Sequence, residues 1–138
     1  MDNTNQGLIV NNTKQVIVMR KDLNMRRGKQ IAQGCHASMK VILETQITRT
    51  NVGEIVLAPP QATLEWLDGI FTKICVSVNS EAELDALYET ARQLGIPCSM
   101  IVDSGLTEFN GVPTKTCIAI GPDYNERVDL VTKGLPLL

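Results

Sequence analysis

The sequence predicts an α/β fold, a single domain in which helices cover both faces of a four-stranded mixed β-sheet. The first observation is the order of the predicted elements, which is strand, helix, strand, helix, strand, strand, helix. The second is size and composition, because 138 residues, 43% of them hydrophobic, are enough for one buried core. The chain also contains no internal repeat.

The first part of the chain predicts a buried strand and a long helix. Residues 15–19 (QVIVM) form a β-branched apolar run, which is typical of a strand. Asn24 is a suitable N-cap for a helix that runs from about residue 26 to about residue 46. Residues 48–62 contain Gly53 and two prolines and therefore predict a connecting segment, which leads to a short helix around residues 64–67.

The middle of the chain contains the clearest helix. Residues 72–78 (TKICVSV) predict the second strand, and Ser80 opens the helix that follows. Ser80 and Glu83 have the spacing of a capping box, in which each side chain bonds the backbone N–H of the other residue. Apolar residues then recur on one stripe as far as Leu94, and Gly95 supplies the left-handed residue that ends a helix.

The last part of the chain predicts two more strands and a short helix. The strands are residues 99–102 and residues 115–120, with a tight-turn signal at Asn110-Gly111 between them. Gly121-Pro122 is predicted to end the fourth strand, and a short helix follows near residues 126–131. At the opposite end of the chain, the polar residues 1–13 predict a flexible lead-in to a domain of residues 14–138.

Charge is distributed unevenly along the chain, although the net charge is only −2. Residues 14–40 contain seven basic residues and one acid, Asp22, whereas residues 41–138 contain six basic and thirteen acidic residues. A local positive field of this kind suits a polyanionic partner. The same pattern is also consistent with solvated surface residues, and charge alone does not separate the two interpretations.

The cysteines and the N-terminus indicate a cytoplasmic protein without a structural metal. No stretch reaches the ~18 consecutive apolar residues that predict a membrane-spanning helix, and the N-terminus lacks the pattern of a secretion signal. The four cysteines are widely separated and form no CxxC pair, which predicts reduced thiols and no metal site. These cysteines are Cys35, Cys75, Cys98 and Cys117.

The long first helix has two contrasting faces. At 100° per residue, four polar side chains share an arc of ~60°. They are Lys29, Gln33, His36 and Lys40. The opposite side carries apolar residues that are expected to pack on the sheet, namely Ile31, Cys35, Met39 and Ile42. The polar stripe is therefore either a functional site or a solvated helix face.

Gly28 and Lys29 stand in the first turn of this helix, where free N–H groups and the positive end of the helix dipole attract phosphate or an oxyanion. A phosphate-binding loop of the form GxxxxGK[ST] is excluded, because Leu23 and Gln30 occupy positions that require Gly and Ser or Thr. The GxSxG motif of α/β-hydrolases and the HExxH motif of zinc metalloproteases are also missing from the sequence.

A second candidate site follows the third predicted strand. Asp103 stands at the carboxyl end of that strand, which is where α/β sheets build their sites, and Ser104-Gly105 follows it. Hydroxyl groups are close by in the sequence, at Thr107, Thr114 and Thr116. An ordinary turn is the alternative interpretation, because Asp-Ser-Gly is common turn chemistry.

Taken together, five segments in order resemble the type II peptidyl-tRNA hydrolases, the archaeal and eukaryotic kind that also occurs in some bacteria and phages. The segments are VIVMRKDLNMRRGKQIAQGCHA, GIFTKICVSV, IVDSGLT, TKTCIAIGP and VDLVTKGLPLL. The resemblance extends from about Lys14 to Leu138. Its most specific part is the combination R-x-D-L-x-M-x-x-G-K-x-x-A-Q-x-x-H-A.

The resemblance implies a compact α/β domain, usually a homodimer, that needs no metal or cofactor. The implied activity is hydrolysis of the ester between a nascent peptide and the 3′ ribose of tRNA, which recycles peptidyl-tRNA. The residues that match the family's proposed catalytic positions are Lys29, Asp103, Thr107 and Thr116. Gln33 and His36 match helix residues that line the family's site.

The sequence departs from the family's pattern at three places. Leu106 stands where many members carry Arg, in D-A-G-R-T, so one substrate contact is expected to be missing or replaced. The end of the chain reads T-K-G-L where members read T-G-H-L, and the segment of residues 48–62 is longer than in most members.

These residue types suggest direct attack by water, because no activated serine or cysteine is evident. Asp103, hydrogen-bonded by Thr107 or Thr116, would orient the water. Lys29 would stabilise the oxyanion or the terminal phosphate, and Gln33 and His36 would position the ester or the terminal adenosine. Five basic residues would hold the tRNA acceptor stem through its phosphates, and these are Arg20, Lys21, Arg26, Arg27 and Lys40.

Two other functions remain open at this point. The first is a tRNA- or protein-binding module with the same fold and weakened catalysis, which the substitution at Leu106 favours. The second is a thiol enzyme that uses Cys35 beside His36. Adjacent helical residues point ~100° apart, however, which makes a poor nucleophile–base pair.

Overall fold

A computed structural model describes residues 12–138 of the protein. It confirms the predicted α/β fold. Its elements in chain order are β1 (Thr13–Arg20), α1 (Arg27–Thr45), β2 (Ile47–Arg49), β3 (Ile55–Leu57), α2 (Gln61–Asp68), β4 (Lys73–Val78), α3 (Glu81–Gln93), β5 (Cys98–Asp103), β6 (Thr114–Tyr124) and α4 (Asn125–Thr132). The predicted lead-in falls mostly on residues that lie outside this range. Thr13, expected to belong to it, is instead a buried residue of β1.

The main sheet places several strand ends at one edge. Its strand order is β4-β1-β6-β5, with β1 parallel to β4 and β6 antiparallel to both β1 and β5. Strands β1, β4 and β5 therefore run in the same direction, and their carboxyl ends lie at the same edge as the beginning of β6. Because α1 follows β1 after a short loop, its N-terminus begins at this edge as well.

Alternation along β1 divides the core into two layers, as expected for a strand that is buried on both faces. Val16 and Val18 pack with residues of α3 and α4 on one face. Ile17 and Met19 pack with residues of α1 on the other face. The prediction of helices on both faces is thus confirmed. Helix α1 covers the second face, where it packs on β1, β5 and β6.

The expected orientation of α1 was wrong. Ile31 and Met39 are 60% and 61% exposed, and Cys35 is exposed as well. The residues of α1 that are buried are Gln33, Ala37 and Val41. The helix lies on the sheet through small residues, since a Cβ added at Gly34 would come within 3.8 Å of Ile17. This close approach leaves the larger apolar side chains on the outer side.

The N-cap of α1 also differs from the prediction. Arg26 is the N-cap, and it makes no side-chain capping hydrogen bond. Asn24 adopts a left-handed conformation with φ of 52°, and its side-chain amide donates to the backbone carbonyl of Asp22 at 3.3 Å. The first turn of α1 contains no acidic residue. Its backbone N–H groups therefore receive no side-chain cap from the N-cap position.

The structure contains strand residues at two places where the sequence predicted none. The segment of residues 48–62 contains a small antiparallel sheet of β2 and β3, which pair from Ile47 with Leu57 to Arg49 with Ile55. Strands of three residues are too short to give a periodic signal. Strand β6 continues past Gly121 to Tyr124, because a left-handed glycine lets the chain pass close to β1: a Cβ there would lie 2.6 Å from the Lys14 carbonyl oxygen.

Helix α3 shows half of the expected capping box. The backbone N–H of Glu83 donates to the Ser80 hydroxyl at 3.1 Å, as predicted. The Glu83 carboxylate, however, accepts from the backbone N–H of Asn79 at 2.6 Å rather than from that of Ser80. Leu84, the next residue of α3, is fully buried in the core. Among residues 12–138, no helix is both long and apolar enough to cross a membrane.

Replacing Leu84 by alanine should lower the free energy of unfolding by about 2–5 kcal/mol, because the side chain is fully buried among core residues. Leu130 on α4 is a matched control, since it is 65% exposed and Leu130→Ala should change the same quantity by less than about 0.5 kcal/mol. Urea denaturation measures both variants. Equal losses in the two variants would contradict this description of the core.

Candidate active site

An ion pair joins the beginning of α1 to the end of β5. The Lys29 ammonium donates to Asp103 Oδ1 at 2.9 Å, although the two residues are 74 positions apart in the sequence. Gln33, one turn further along α1, donates from Nε2 to the same oxygen at 3.2 Å. The Lys29 and Asp103 side chains are only 16% and 13% exposed. The two sequence-predicted candidate sites therefore form one cluster.

The Lys29 ammonium has further neighbours on the loop between β5 and β6. It donates to the Thr107 hydroxyl oxygen at 3.1 Å and lies 5.7 Å from the centre of the Phe109 ring. Two of the three donors of the ammonium thus have partners in the described part of the chain. The loop consequently helps to hold the lysine next to Asp103 at the end of β5.

Asp103 is held as a carboxylate from several directions. Its Oδ2 atom accepts from the backbone N–H of Gly105 at 2.9 Å. The hydrogen bond from Lys29 is the main reason why the pKa of Asp103 is lowered from its ordinary value of 3.8, and the contacts with Gly105 and Gln33 act in the same direction. Partial burial opposes this shift but does not reverse it. The carboxyl group is therefore ionised at neutral pH.

Gly105 is required by the shape of this loop. Its φ is 80°, and a Cβ at this position would lie 2.2 Å from the backbone oxygen of Val112. Its own carbonyl accepts from the N–H of Gly111 at 2.8 Å. The turn chemistry considered for Asp103–Gly105 is thus present, and the same turn supplies a hydrogen bond to the carboxylate.

Thr116 lies behind the cluster rather than in it. Its side chain is fully buried, and its hydroxyl donates to Gln33 Oε1 at 2.6 Å. This contact fixes the orientation of the amide, because Gln33 must then direct its N–H group to Asp103. The expected hydrogen bond from Thr107 or Thr116 to Asp103 is not found among the described residues. Thr107 bonds to Lys29 instead, and Thr116 acts through Gln33.

The relay from Thr116 through Gln33 to Asp103 was not predicted from the sequence. The helical wheel placed Gln33 on a polar stripe, which suggested a solvent-facing or substrate-facing residue. The Gln33 side chain is instead almost fully buried on the side of α1 that packs against β6. The signal that could have indicated this is a polar residue in register with Ala37 and Val41, which are spaced four residues apart on the packed side of α1.

His36 and Lys40 lie further along α1 and outside the hydrogen-bonded cluster. His36 is exposed and lines a groove between α1 and β5. Lys40 spans from α1 to β5, where its ammonium donates to the Met100 carbonyl at 2.9 Å, and it also pairs with Glu44 at 3.1 Å. These two members of the predicted stripe therefore adjoin the cluster without contacting Asp103.

The remaining basic residues differ in their availability. The Arg20 guanidinium is bonded to both carboxylate oxygens of Asp22, at 3.1 and 2.7 Å, and to the Lys115 carbonyl. Arg26 is largely exposed, with Glu108 at 3.7 Å, and Lys21 and Arg27 are exposed. Gly28 is exposed too, and an added Cβ there would meet no atom within 4 Å.

Thiols and metal ligands do not form a second centre within residues 12–138. No group of three or more His, Cys, Asp or Glu side chains is suitably placed for a metal ion in that range. Burial raises the pKa of Cys117 to about 12, so this thiol is protonated at neutral pH. Cys35 is an exposed free cysteine next to His36 on α1. Because consecutive helical side chains point in different directions, the two are poorly placed to act as a nucleophile and its base.

Comparison with known proteins gives consistent matches over nearly the whole chain. A family model described as Peptidyl-tRNA hydrolase PTH2 matches residues 13–138. The peptidyl-tRNA hydrolase of Methanocaldococcus jannaschii is 42% identical over 125 residues, which cover 91% of this chain and 99% of that protein. The peptidyl-tRNA hydrolase of Methanopyrus kandleri is 38% identical, with 91% and 97% covered, and that of Haloquadratum walsbyi is 39% identical, with 90% and 98% covered.

A solved structure of a protein of unknown function from Agrobacterium tumefaciens shares the fold, with a TM-score of 0.58 over 94% of this chain and 99% of that chain. At 12% sequence identity this likeness concerns the fold alone. The family match and the sequence identities carry the assignment. They show that the chain belongs to the peptidyl-tRNA hydrolase PTH2 family.

Proposed function

We propose that this protein hydrolyses the ester bond between a nascent peptide and the 3′ ribose of tRNA. Family membership supports the reaction class, since the relatives described above are named peptidyl-tRNA hydrolases. The observation that carries the proposal for this chain is the cluster of Lys29, Gln33 and Asp103 at the N-terminus of α1. It combines a fixed carboxylate, a fixed cation and an uncapped helix N-terminus within one small site.

Asp103 would orient the attacking water. A carboxylate whose pKa is lowered is a weak base, so it accepts a hydrogen bond from water and takes the proton only as the new bond forms. Water then adds to the ester carbonyl, whose oxygen becomes negatively charged. The bond to the 3′ oxygen breaks and that oxygen receives the proton from Asp103. The peptide acid releases its remaining proton to solvent, so the products are a peptide carboxylate and free tRNA.

Lys29 would stabilise the negative charge that develops on the carbonyl oxygen or lies on the terminal phosphate. Two of its donors have described partners, Asp103 and Thr107, and the third would serve the substrate. The N-terminus of α1 adds its backbone N–H groups, and the lack of a side chain at Gly28 leaves room for an approaching phosphate. Both contributions are preorganised, which is what transition-state stabilisation requires.

The other sequence-predicted residues take supporting roles in this proposal. Thr107 would hold Lys29, and Thr116 would position Gln33 from behind. His36 would position the ester or the terminal adenosine. Lys21, Arg26 and Arg27 are exposed at the same end of the molecule and would bind tRNA phosphates. Arg20 and Lys40 would contribute less, because both are engaged in contacts within the chain.

We further propose that the protein acts in the cytoplasm, where peptidyl-tRNA is produced, and that it forms a homodimer. The small sheet of β2 and β3 supports association, since all three residues of β3 are apolar and exposed. These residues are Ile55, Val56 and Leu57. An isolated two-stranded sheet is marginally stable, and a covering partner would remove this apolar surface from water.

Replacing Asp103 by asparagine or Lys29 by alanine should lower kcat at least about 100-fold on N-acetylaminoacyl-tRNA, because each change removes one charged group from the cluster. Circular dichroism should show an intact fold in both variants. Lys133→Ala is the matched control, since Lys133 is an exposed lysine just beyond α4 on the opposite face of the sheet. Turnover close to wild type in both cluster variants would reject the catalytic roles of Lys29 and Asp103. Binding of tRNA by a wild type that shows no turnover would instead favour the binding-module alternative, for which the exposed Leu106 is the available support.

The double variant Arg26→Ala/Arg27→Ala should bind tRNA more weakly and with a smaller salt dependence. Each lost phosphate contact is expected to reduce the slope of log K against log salt concentration by about 0.7–0.9, and therefore by up to about 2 in total. Arg49→Ala/Lys133→Ala removes the same charge at exposed positions elsewhere and should leave the slope unchanged. Binding titrations at several salt concentrations measure both, and equal slopes in the two double variants would contradict the assignment.

A further inference from the structure

A groove runs between α1 and the edge strand β5, and of its lining residues the reaction proposed above uses only His36 and, to a lesser degree, Lys40. Its volume is about 370 Å³, which falls within the range of clefts that bind small ligands. The residues that line it come from two turns of α1 and from the last part of β5. They are His36, Met39, Lys40, Leu43, Ile101 and Val102.

The groove begins beside the candidate active site. Val102 immediately precedes Asp103 on β5, and His36 lies one helical turn beyond Gln33 on α1. At 1.5 Å per residue, the groove extends along α1 from ~10 Å to ~21 Å from the Lys29 position. It therefore leads away from the reacting groups, in the direction opposite to the helix N-terminus.

The groove is mainly apolar and faces solvent in the single chain. Met39, Leu43 and Val102 are exposed, while Ile101 forms a buried part of the lining. Exposed apolar surface of this kind beside a site commonly binds a ligand or a partner. The ammonium of Lys40 is the only lysine or arginine cation in the lining, and it is bonded to the Met100 carbonyl. The groove consequently offers little to a phosphate chain.

We propose that this groove binds apolar side chains of the nascent peptide next to the ester, and that it gives the enzyme a preference for such peptides. The inference rests on the proposed function. An ester bound at Asp103 has a nucleotide side and a peptide side, and the exposed cations Lys21, Arg26 and Arg27 lie toward the helix N-terminus. The peptide side is then directed along α1 toward the groove. The apolar lining of the groove suits apolar side chains and offers no unengaged lysine or arginine to a phosphate.

The edge position of β5 supports the same occupant. Strand β5 pairs with β6 on one side, and it is the last strand of the described sheet on the other. The Met100 carbonyl of this strand accepts from the Lys40 ammonium at 2.9 Å, so pairing with a peptide would involve other backbone groups of β5. Backbone groups at a free edge can pair with an extended peptide, while the side chains of that peptide enter adjacent pockets.

The test compares two substrates on the same tRNA, one carrying N-acetylglycine and the other N-acetyl-leucyl-leucine. The wild type should have the higher kcat/KM for the dileucyl ester. In Met39→Gln and Leu43→Gln, the ratio of the two kcat/KM values should fall at least about fivefold, because the groove loses apolar contacts. Glutamine introduces no charge, so tRNA attraction stays the same for both substrates. Leu130→Gln on α4 is the matched control and should keep the wild-type ratio.

An unchanged ratio in both groove variants would overturn the inference, whether kcat/KM stays the same or falls equally for both esters. If light scattering also shows conversion of a dimer to a monomer in these variants, this face would be assigned to a second copy of the chain. Failure of the proposed function has a different signature, since the wild type would then hydrolyse neither ester.

Discussion

The ion pair between Lys29 and Asp103 is the interaction on which the candidate site depends. It joins two segments that are far apart in the sequence, and it can form only because β5 and the start of α1 meet at one edge of the sheet. Both side chains are mostly shielded from water, so removal of either one would leave a partly buried charge without its counterion. The pair therefore fixes two opposite charges within 3 Å of each other at neutral pH, next to a helix N-terminus that has no side-chain cap.

The surroundings of the pair restrict its geometry from two directions. Thr116 and Gln33 hold the carboxylate from the buried side, whereas Gly105, Thr107 and the loop that carries them hold it and the lysine from the outer side. Groups that cannot reorient stabilise a transition state without a further reorganisation cost, and this supports the ester hydrolysis proposed for the site.

Sequence reasoning predicted the order of the main elements and the two ends of the ion pair, because strand runs and strand-end acids are local signals. It failed where a tertiary contact decided the outcome. The close approach of Gly34 and Ala37 to the sheet turned Ile31 and Met39 outward, against the apolar stripe that the helical wheel predicted. The same packing buried Gln33 and exposed the groove. Strands β2 and β3 escaped prediction because three residues carry no periodicity.

The pKa of Asp103 in the folded protein tests the central claim most directly, and the ¹³Cγ chemical shift followed against pH measures it. A hydrogen-bonded ion pair with Lys29 predicts a pKa below 3.8 in the wild type and a higher pKa in Lys29→Ala. A lowered folded pKa also means that the pair stabilises the protein above the unfolded pKa and loses this effect as the pH falls through the folded pKa. A wild-type pKa at or above 3.8, unchanged in Lys29→Ala, would contradict the ion pair and the mechanism built on it.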